Sequence, residues 1–448
     1  MTDLIIIGAG PGGYEAAAYA GRKGKKVILF ERKYIGGTCL NVGCIPTKTL
    51  LKSAHVFSEC KHAVPYGVED TGTPKLNMAR VQERKAKIVS TLTKGVEGLL
   101  KKNGVEIIRA HATIKGVGKV EADGKTYEAA NILIATGSKP AVPPILGIDS
   151  PKVLDSSSIL SLTEIPESLA VIGGGVIGLE FASFFADAGS KVTVVEMLSQ
   201  IAPIVDSEIT KRLQMAMKKK GVQFNLNAKV TKIDGSILHY KDEHGTEQSV
   251  TATYILNATG RKPVMDGLGL ENAGIEASPR GIAADDTGRT NIPGIWACGD
   301  VTGRCQLAHA ATREGLVAVV NMFGGKQKIR YNATPSVVYT NPEVASCGKT
   351  EEQLTKEGIA FKKSTMPMGV AGRFLIEYEG ESGTIKVLTG AEHGEILGVH
   401  MIGGPAGEHI FGAAMMIEQE LRVKDLFEIV FPHPTISEAL KEAILHAE

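Results

Sequence analysis

Two stretches of this chain repeat one pattern at one spacing. The apolar run Leu4–Ile7 leads into Gly8, Gly10 and Gly13, and a second apolar run, Val27–Phe30, closes on Glu31. Further along, Leu169–Ile172 leads into Gly173, Gly175, Ile177 and Gly178, and Val192–Val195 closes on Glu196. The first glycine and the closing acid are 23 residues apart in both copies. Each residue type has a physical task. The first glycine makes a tight strand-to-helix turn, the second lets backbone approach a pyrophosphate, and the third lets the helix pack on its strand. The phosphates lie at the positive end of the helix, and the acid accepts hydrogen bonds from ribose hydroxyls. A lone Gly-x-Gly-x-x-Gly is weak evidence, whereas strand, glycines, helix and acid repeated at one spacing are strong. The pattern predicts an α/β chain with two Rossmann-like dinucleotide-binding domains.

Composition sets limits on partners. Fifty basic and 49 acidic residues leave a net charge of +1, which favours neither nucleic acid nor an anionic membrane. No apolar run reaches the ~18 residues that suggest a bilayer span. The first strand begins almost at Met1, so no targeting leader is expected. Six cysteines are scattered along 448 residues, unlike a secreted disulfide framework. Cys60, Cys298, Cys305 and Cys347 are read as small buried hydrophobes without an assigned role, no metal site is expected, and a reducing cytoplasm fits best.

Cys39 and Cys44 are the exception. They follow the first unit directly, in the segment from Gly36 to Lys48. On a regular helix, residues five apart are roughly 8–9 Å apart at Cα, beyond the ~7 Å a disulfide tolerates. A bridge here needs a distorted turn, which Gly43 permits, and such a bridge is readily reduced. The pair is therefore read as a redox-active disulfide held against a flavin. Two ordinary buried thiols, or half of a metal site, are the alternatives. Gly36 and Gly37 before the pair, with Pro46 and Lys48 after it, weigh against them.

This segment resembles the active-site signature of the pyridine nucleotide–disulfide oxidoreductases, and the whole chain resembles the dihydrolipoamide-oxidising branch of that family. The resemblance implies FAD in the first unit, with Gly37, Thr38 and Lys48 beside the flavin. It also implies that Cys39 is the interchange thiol and that Cys44 faces the flavin as a thiolate. Lys48 would pair with an acid on the second phosphate-loop helix, here Glu180. The short strand before Gly299 and Asp300 matches the family's second FAD motif, in which Asp300 accepts from ribityl hydroxyls and the helix at Ala308 points its N-terminus at the flavin. Both halves carry an Ala-Thr-Gly strand end, Ala135-Thr136-Gly137 and Ala258-Thr259-Gly260, which close the FAD and NAD domains. Ala112 and Val230 are weaker carry-overs as FAD and NAD contacts. In the second unit Glu196 favours NAD, because a 2′-phosphate beside a carboxylate is repelled and no cation follows in residues 197–200.

The implied order is an FAD-binding domain over residues 1–140 and an NAD-binding domain over 141–263. A return to the FAD domain over 264–330 and a C-terminal α+β dimerisation domain over 331–448 complete it. Near the end, Phe431, Pro432, His433, Pro434, Thr435 and Glu438 match the family's His-Pro-Thr-x-Ser-Glu motif. Read from the residues alone, Glu438 is a helix-cap carboxylate and His433 a loop residue. Disulfide chemistry needs a base, because a free thiol of pKa about 8.5 is mostly protonated near neutrality, and a carboxylate-oriented histidine supplies one. By resemblance, His433 with Glu438 serves the disulfide of the other subunit of a homodimer. The implied reaction is oxidation of dihydrolipoamide by NAD⁺ through FAD. The partner is a lipoylated carrier or subunit of a 2-oxo acid dehydrogenase or glycine cleavage complex, on a separate chain. A glutathione-type reductase is the rival, disfavoured by Glu196, and a structural role in a multienzyme complex is a further alternative. Redox residues near the C-terminus, as in mercuric or large thioredoxin reductases, are not expected after the last cysteine, Cys347.

Overall fold

The structure is a computed structural model and describes residues 2–447. The chain divides into two compact units, each assembled from separate stretches. The first takes the residues up to Thr49, Gln82–Ala141 and Gly260–Ile329; the second takes Leu50–Val81, Val142–Thr259 and Arg330 onward.

In the first unit, Glu106–Ile108, Val27–Phe30, Thr2–Ile7, Lys125–Ile134 and Ile295–Ala297 form a parallel sheet in that spatial order. Leu4, Ile5 and Ile6 are fully buried, as continuous apolar runs in parallel sheets are when both faces are covered. Lys125–Ile134 serves two purposes. Its later residues pair parallel with Thr2–Ile7, and its earlier ones pair antiparallel with Lys119–Ala122 in a small meander. The helix Pro11–Arg22 buries Ala16, Ala17 and Ala20, and it approaches the helix Ala308–Met322 so closely that a Cβ on Gly315 would meet the Gly12 carbonyl at 2.4 Å.

The second unit repeats the plan. Gln223–Asn225, Lys191–Val195, Ser168–Ile172, Tyr254–Asn257 and Val153–Asp155 form a parallel sheet, again accompanied by an antiparallel meander, Lys229–Thr251. Phe181, Phe184 and Phe185 of the helix Val176–Ala188 fill the core against it. The same unit holds a five-stranded antiparallel sheet in which Thr384–Gly390 is buried along its whole length. That strand pairs antiparallel with Ile396–Ile402, and the helix Ala406–Glu418 follows.

Lys386 sits on that buried strand with 1% of its side chain exposed, between Asp206 at 2.9 Å and Glu351 at 2.5 Å. Asp206 also caps the helix Ser207–Lys219 by accepting from the Glu208 N–H. Burial works against the ammonium, but its hydrogen bonds to Glu351 and Asp206 outweigh that and hold its pKa above the ordinary lysine value. Removing one partner strands a buried charge, so Lys386→Met is expected to destabilise the protein by about 3–5 kcal/mol, read from the urea unfolding midpoint. Because the folded-state pKa is raised, this contribution is fully present below the unfolded value of about 10.4 and is lost as pH rises through the folded one.

Candidate active site

The two phosphate loops share one construction. Gly8 has φ +107° and Gly173 φ +103°, and a Cβ at either would run into the carbonyl of the opposing Ala-Thr-Gly strand end: Ala135 O at 2.3 Å, Ala258 O at 2.7 Å. A Cβ on Gly13 would lie 1.9 Å from Gly8 O, and one on Gly178 would lie 2.2 Å from Gly173 O. Gly10 and Gly175 differ, since nothing stands within 4 Å of a Cβ built there, and each begins a helix that no side chain caps. Helix amines are therefore presented to open space at the positive end of the helix dipole, as a pyrophosphate requires. The helix Glu351–Glu357, by contrast, carries a complete Thr350/Gln353 capping box.

The closing acids also hold the loops. Glu31 Oε2 accepts from the Ala9 N–H at 2.8 Å while Oε1 accepts from Lys33 N at 2.7 Å. Glu196 does the same, from Gly174 N at 2.6 Å and Leu198 N at 2.7 Å. A cavity in the first unit is lined by Gly8, Glu31, Arg32, Ala112 and Thr136 among others, which brings the carry-over Ala112 beside the loop. Gly137, at φ +69°, follows Thr136, whose hydroxyl donates to Val264 O at 2.7 Å. In the second unit Ile177 packs partly against the core, and Val230 lies in the apolar cluster around Ala170 and Ile172. Glu180 is buried on the helix and accepts from the Tyr339 N–H. Gly260, read above as closing the NAD domain, falls in the first unit.

The cysteine segment is fastened to the first loop. The Gly36 N–H donates to Ala9 O at 2.9 Å, and Gly37, at φ +60°, lies so close that a Cβ would be 2.6 Å from Gly10 Cα. Cys39 belongs to the short helix Gly37–Val42, and Cys44 opens the next one, Cys44–Lys61. The interruption is Gly43, at φ −144° and ψ −112°, where a Cβ would meet Thr38 O at 2.9 Å. The break is the distorted turn that the spacing demands, and the Thr47 hydroxyl accepts its place in it by donating to Gly43 O at 2.6 Å. Cys39 is raised far above the ordinary thiol range, first by its hydrogen bond with Cys44 and then by burial. Lys48 acts on Cys39 in the opposite sense. Tyr14 stands near as well, its hydroxyl pushed up to about 12 by burial, Glu15 and Cys39.

In the second unit His433 Nδ1 and Glu438 Oε1 are 2.9 Å apart. Glu438 is held below the usual carboxyl value, first by His433 and then by the Thr435 N–H, which it accepts at 3.0 Å. The imidazole stands 78% exposed. The capping pattern is only half formed. Glu438 reaches back to Thr435, but the Thr435 hydroxyl turns away to donate to Pro432 O, and the final helix starts at Ser437. Glu438 is thus committed to the histidine and the loop together.

Asp300 follows Gly299, which has φ +76° and donates its N–H to the buried Glu314 at 2.5 Å. Ala308 opens a helix with no side-chain cap. Two residues that sequence reasoning passed over gather at Asp300: Ser138 donates to Asp300 Oδ2 at 2.5 Å, and Arg261 Nε donates to Ser138 Oγ at 2.7 Å. Each follows an Ala-Thr-Gly repeat directly, a position that could have flagged them. Among the other cysteines, Cys298 and Cys347 are buried and Cys305 half-buried, all with raised pKa values led by burial. Cys60 corrects the expectation: it is exposed, because it lies in the last turn of its helix, beyond the packed part. No cluster of three metal-ligating side chains occurs among the described residues.

Comparison with known proteins agrees with this construction. Residues 2–315 match the pyridine nucleotide-disulphide oxidoreductase family, and residues 334–444 match that family's dimerisation domain. A dihydrolipoyl dehydrogenase of Pseudomonas putida is 42% identical over all of this chain and 98% of its own length. LpdA of Mycobacterium tuberculosis superposes with a TM-score of 0.91 at 26% identity, covering 100% of this chain and 99% of that one. The HOCl-induced flavoprotein disulfide reductase RclA of Escherichia coli superposes with a TM-score of 0.88 at 30% identity, covering both chains fully. The chain belongs to the pyridine nucleotide–disulphide oxidoreductase family. It is an oxidoreductase of mixed α/β fold, and FAD and NAD(H) are the cofactors its two uncapped glycine loops fit.

The two loops should fail separately. Gly13→Ala drives a methyl into Gly8 O and is expected to yield protein that purifies without flavin. Gly178→Ala is expected to retain flavin and raise the KM for NAD⁺ at least tenfold. Absorbance of the purified variants and steady-state kinetics check both.

Proposed function

We propose that this protein oxidises dihydrolipoamide carried on a separate lipoylated protein, with NAD⁺ as the final acceptor. The observation that carries the reading is the Cys39–Cys44 pair, hydrogen-bonded across the break at Gly43, in a chain alike from end to end to a dihydrolipoyl dehydrogenase. Cys39, Cys44, His433 and Glu438 do the chemistry. Gly8, Gly10, Gly13, Glu31, Gly37, Thr38, Lys48, Ala112, Thr136, Gly137, Asp300 and Ala308 hold FAD. Gly173, Gly175, Ile177, Gly178, Glu180, Glu196, Val230 and Gly260 serve NAD.

Glu438 draws the Nδ1 proton of His433 and so leaves Nε2 as the acceptor. The first substrate thiol gives its proton to Nε2, and the thiolate attacks Cys39 Sγ. The Cys39–Cys44 bond breaks, a mixed disulfide forms at Cys39, and Cys44 leaves as a thiolate. The second substrate thiol attacks the substrate sulfur bonded to Cys39 and closes the substrate disulfide; its proton passes to the departing Cys39, while His433 keeps the first. The protein now holds the electron pair as two sulfurs sharing a proton, with Cys39 donating to Cys44, which the raised Cys39 supports. Bound FAD, which Gly8, Gly10, Gly13 and Glu31 would hold, would supply the two-electron chemistry that couples these sulfurs to hydride transfer to NAD⁺. Lys48, near Cys39, places a positive charge beside the reduced sulfurs.

Homodimerisation has support in the match of residues 334–444 to a dimerisation domain and in the large apolar side chains exposed there, among them Phe411, Met415, Phe427 and Val430. No helix among the described residues is long and apolar enough to cross a membrane. We place the protein in the cytoplasm, where Cys60, Cys298, Cys305 and Cys347 would stay reduced. The lipoylated partner belongs to a 2-oxo acid dehydrogenase or glycine cleavage complex.

NADH formation from NAD⁺ and dihydrolipoamide, run beside NADPH-dependent reduction of oxidised glutathione, tests the reading. Fast turnover only in the first assay supports it, and activity only in the second replaces it with a low-molecular-weight disulfide reductase. Removing the base by His433→Gln is expected to slow dihydrolipoamide oxidation by about 10²–10⁴-fold while flavin stays bound; near-normal turnover would take His433 out of the mechanism. Glu196→Arg should move the NADH/NADPH preference toward NADPH, and an unchanged ratio would mean the second loop takes its nucleotide another way.

A further inference from the structure

Asp300 is held from a direction that its own motif does not contain. The chain leaves the first unit after Ala141 and returns to it at Gly260. Just inside those points, Ser138–Pro140 and Arg261–Pro263 pair as an antiparallel ribbon. The ribbon is fastened at both ends, Ala141 N to Gly260 O at 3.0 Å and Val264 N to Gly137 O at 2.9 Å. From one strand Arg261 grips Ser138 twice, Nε to the hydroxyl at 2.7 Å and Nη2 to the backbone carbonyl at 2.8 Å. The Ser138 hydroxyl passes the polarisation on to Asp300 Oδ2 at 2.5 Å, and Arg261 Nε itself is 3.8 Å from that oxygen.

We propose that Arg261, acting through Ser138, is a positioning residue for the flavin. It fixes the rotamer of Asp300 and occupies Oδ2, so that Oδ1 is presented to a ribityl hydroxyl. The inference rests on the reading of Asp300 as a flavin ligand. A serine hydroxyl has one proton to donate and two lone pairs, so it accepts from the guanidinium while donating to the carboxylate. Accepting from a cation strengthens its own donation, and a charge-assisted bond is about twice as strong as a neutral one. The planar guanidinium fork is what allows one side chain to hold both the hydroxyl and the carbonyl of the same residue. Arg261 is 13% exposed and Asp300 23%, so solvent only partly screens the chain of bonds. The internal repeat supplies the first two members of the relay: the residue after Gly137 is the serine, and the residue after Gly260 is the arginine.

The test is FAD binding to apoprotein, followed by flavin fluorescence quenching, with the thermal unfolding of each apoprotein measured alongside. Arg261→Met is expected to weaken FAD binding by about 10–100-fold, the worth of a charge-assisted hydrogen bond. Ser138→Ala should give about tenfold, and Arg261→Lys should recover part of the loss. In an Asp300→Asn background the Arg261→Met change should add little, because its target is gone. Apoprotein stability should be the same throughout. Unchanged FAD affinity in Arg261→Met or Ser138→Ala overturns the proposal, as do purely additive losses or a loss matched by a fall in apoprotein stability. If Asp300→Asn itself binds FAD as tightly as the parent, the reading of Asp300 falls and the relay falls with it. If Asp300→Asn weakens binding while Arg261→Met does not, only the relay is lost.

Discussion

A carboxylate at the end of one strand holding the glycine loop at the end of its neighbour is the contact on which both nucleotide sites depend. Glu31 takes the Ala9 N–H and Glu196 takes the Gly174 N–H, each with one oxygen, and each uses the other oxygen to turn the chain just beyond it. The loop is thereby tied down by the protein's own carboxylate, and the helix that follows is left uncapped. An uncapped helix N-terminus is a cost to stability unless something negative completes it. The protein accepts that cost at both glycine loops, as it also does at the helices opening at Ala308 and Ala406. It caps the helices Ser207–Lys219 and Glu351–Glu357 with its own side chains.

The proposed redox pair, Cys39 and Cys44, is an extension of the first of these loops. Gly36 bonds to Ala9, and Gly37 lies against Gly10, so the position of Cys39 follows from the position of the phosphate loop. Gly43 then breaks the helix between the two thiols and brings them within hydrogen-bonding reach. A single path of contacts thus leads from the first glycine loop to Cys39, the proposed reactive sulfur, over about 30 residues of chain.

The proposed acid–base pair is built differently. His433 is exposed and relies on Glu438 alone for orientation, while Glu438 is itself steadied by the Thr435 amide. One carboxylate anchors both the loop and the ring, which explains why Thr435 is released to Pro432 instead of capping the helix. The partly buried groups around Asp300 show the opposite arrangement, with two side chains, Ser138 and Arg261, converging on one carboxylate.

Much of this was legible in the sequence. The duplicated strand–glycine–helix–acid unit determined both parallel sheets, because the apolar runs, the left-handed glycines and the closing acids are local requirements with local signatures. The five-residue separation of Cys39 and Cys44 likewise demanded a broken helix, and Gly43 marked where the break would come. Tertiary structure decided what depends on chain segments far apart. The Glu31 and Glu196 contacts to the loops, the Ser138–Arg261–Asp300 relay and the buried Lys386–Asp206 pair join residues 22, 123 or 162, and 180 apart. The exposure of Cys60 and the turn of Thr435 toward Pro432 were also settled only by packing. A hydrogen bond between distant residues leaves no periodicity in the chain, since either side chain is ordinary until the fold brings its partner to it.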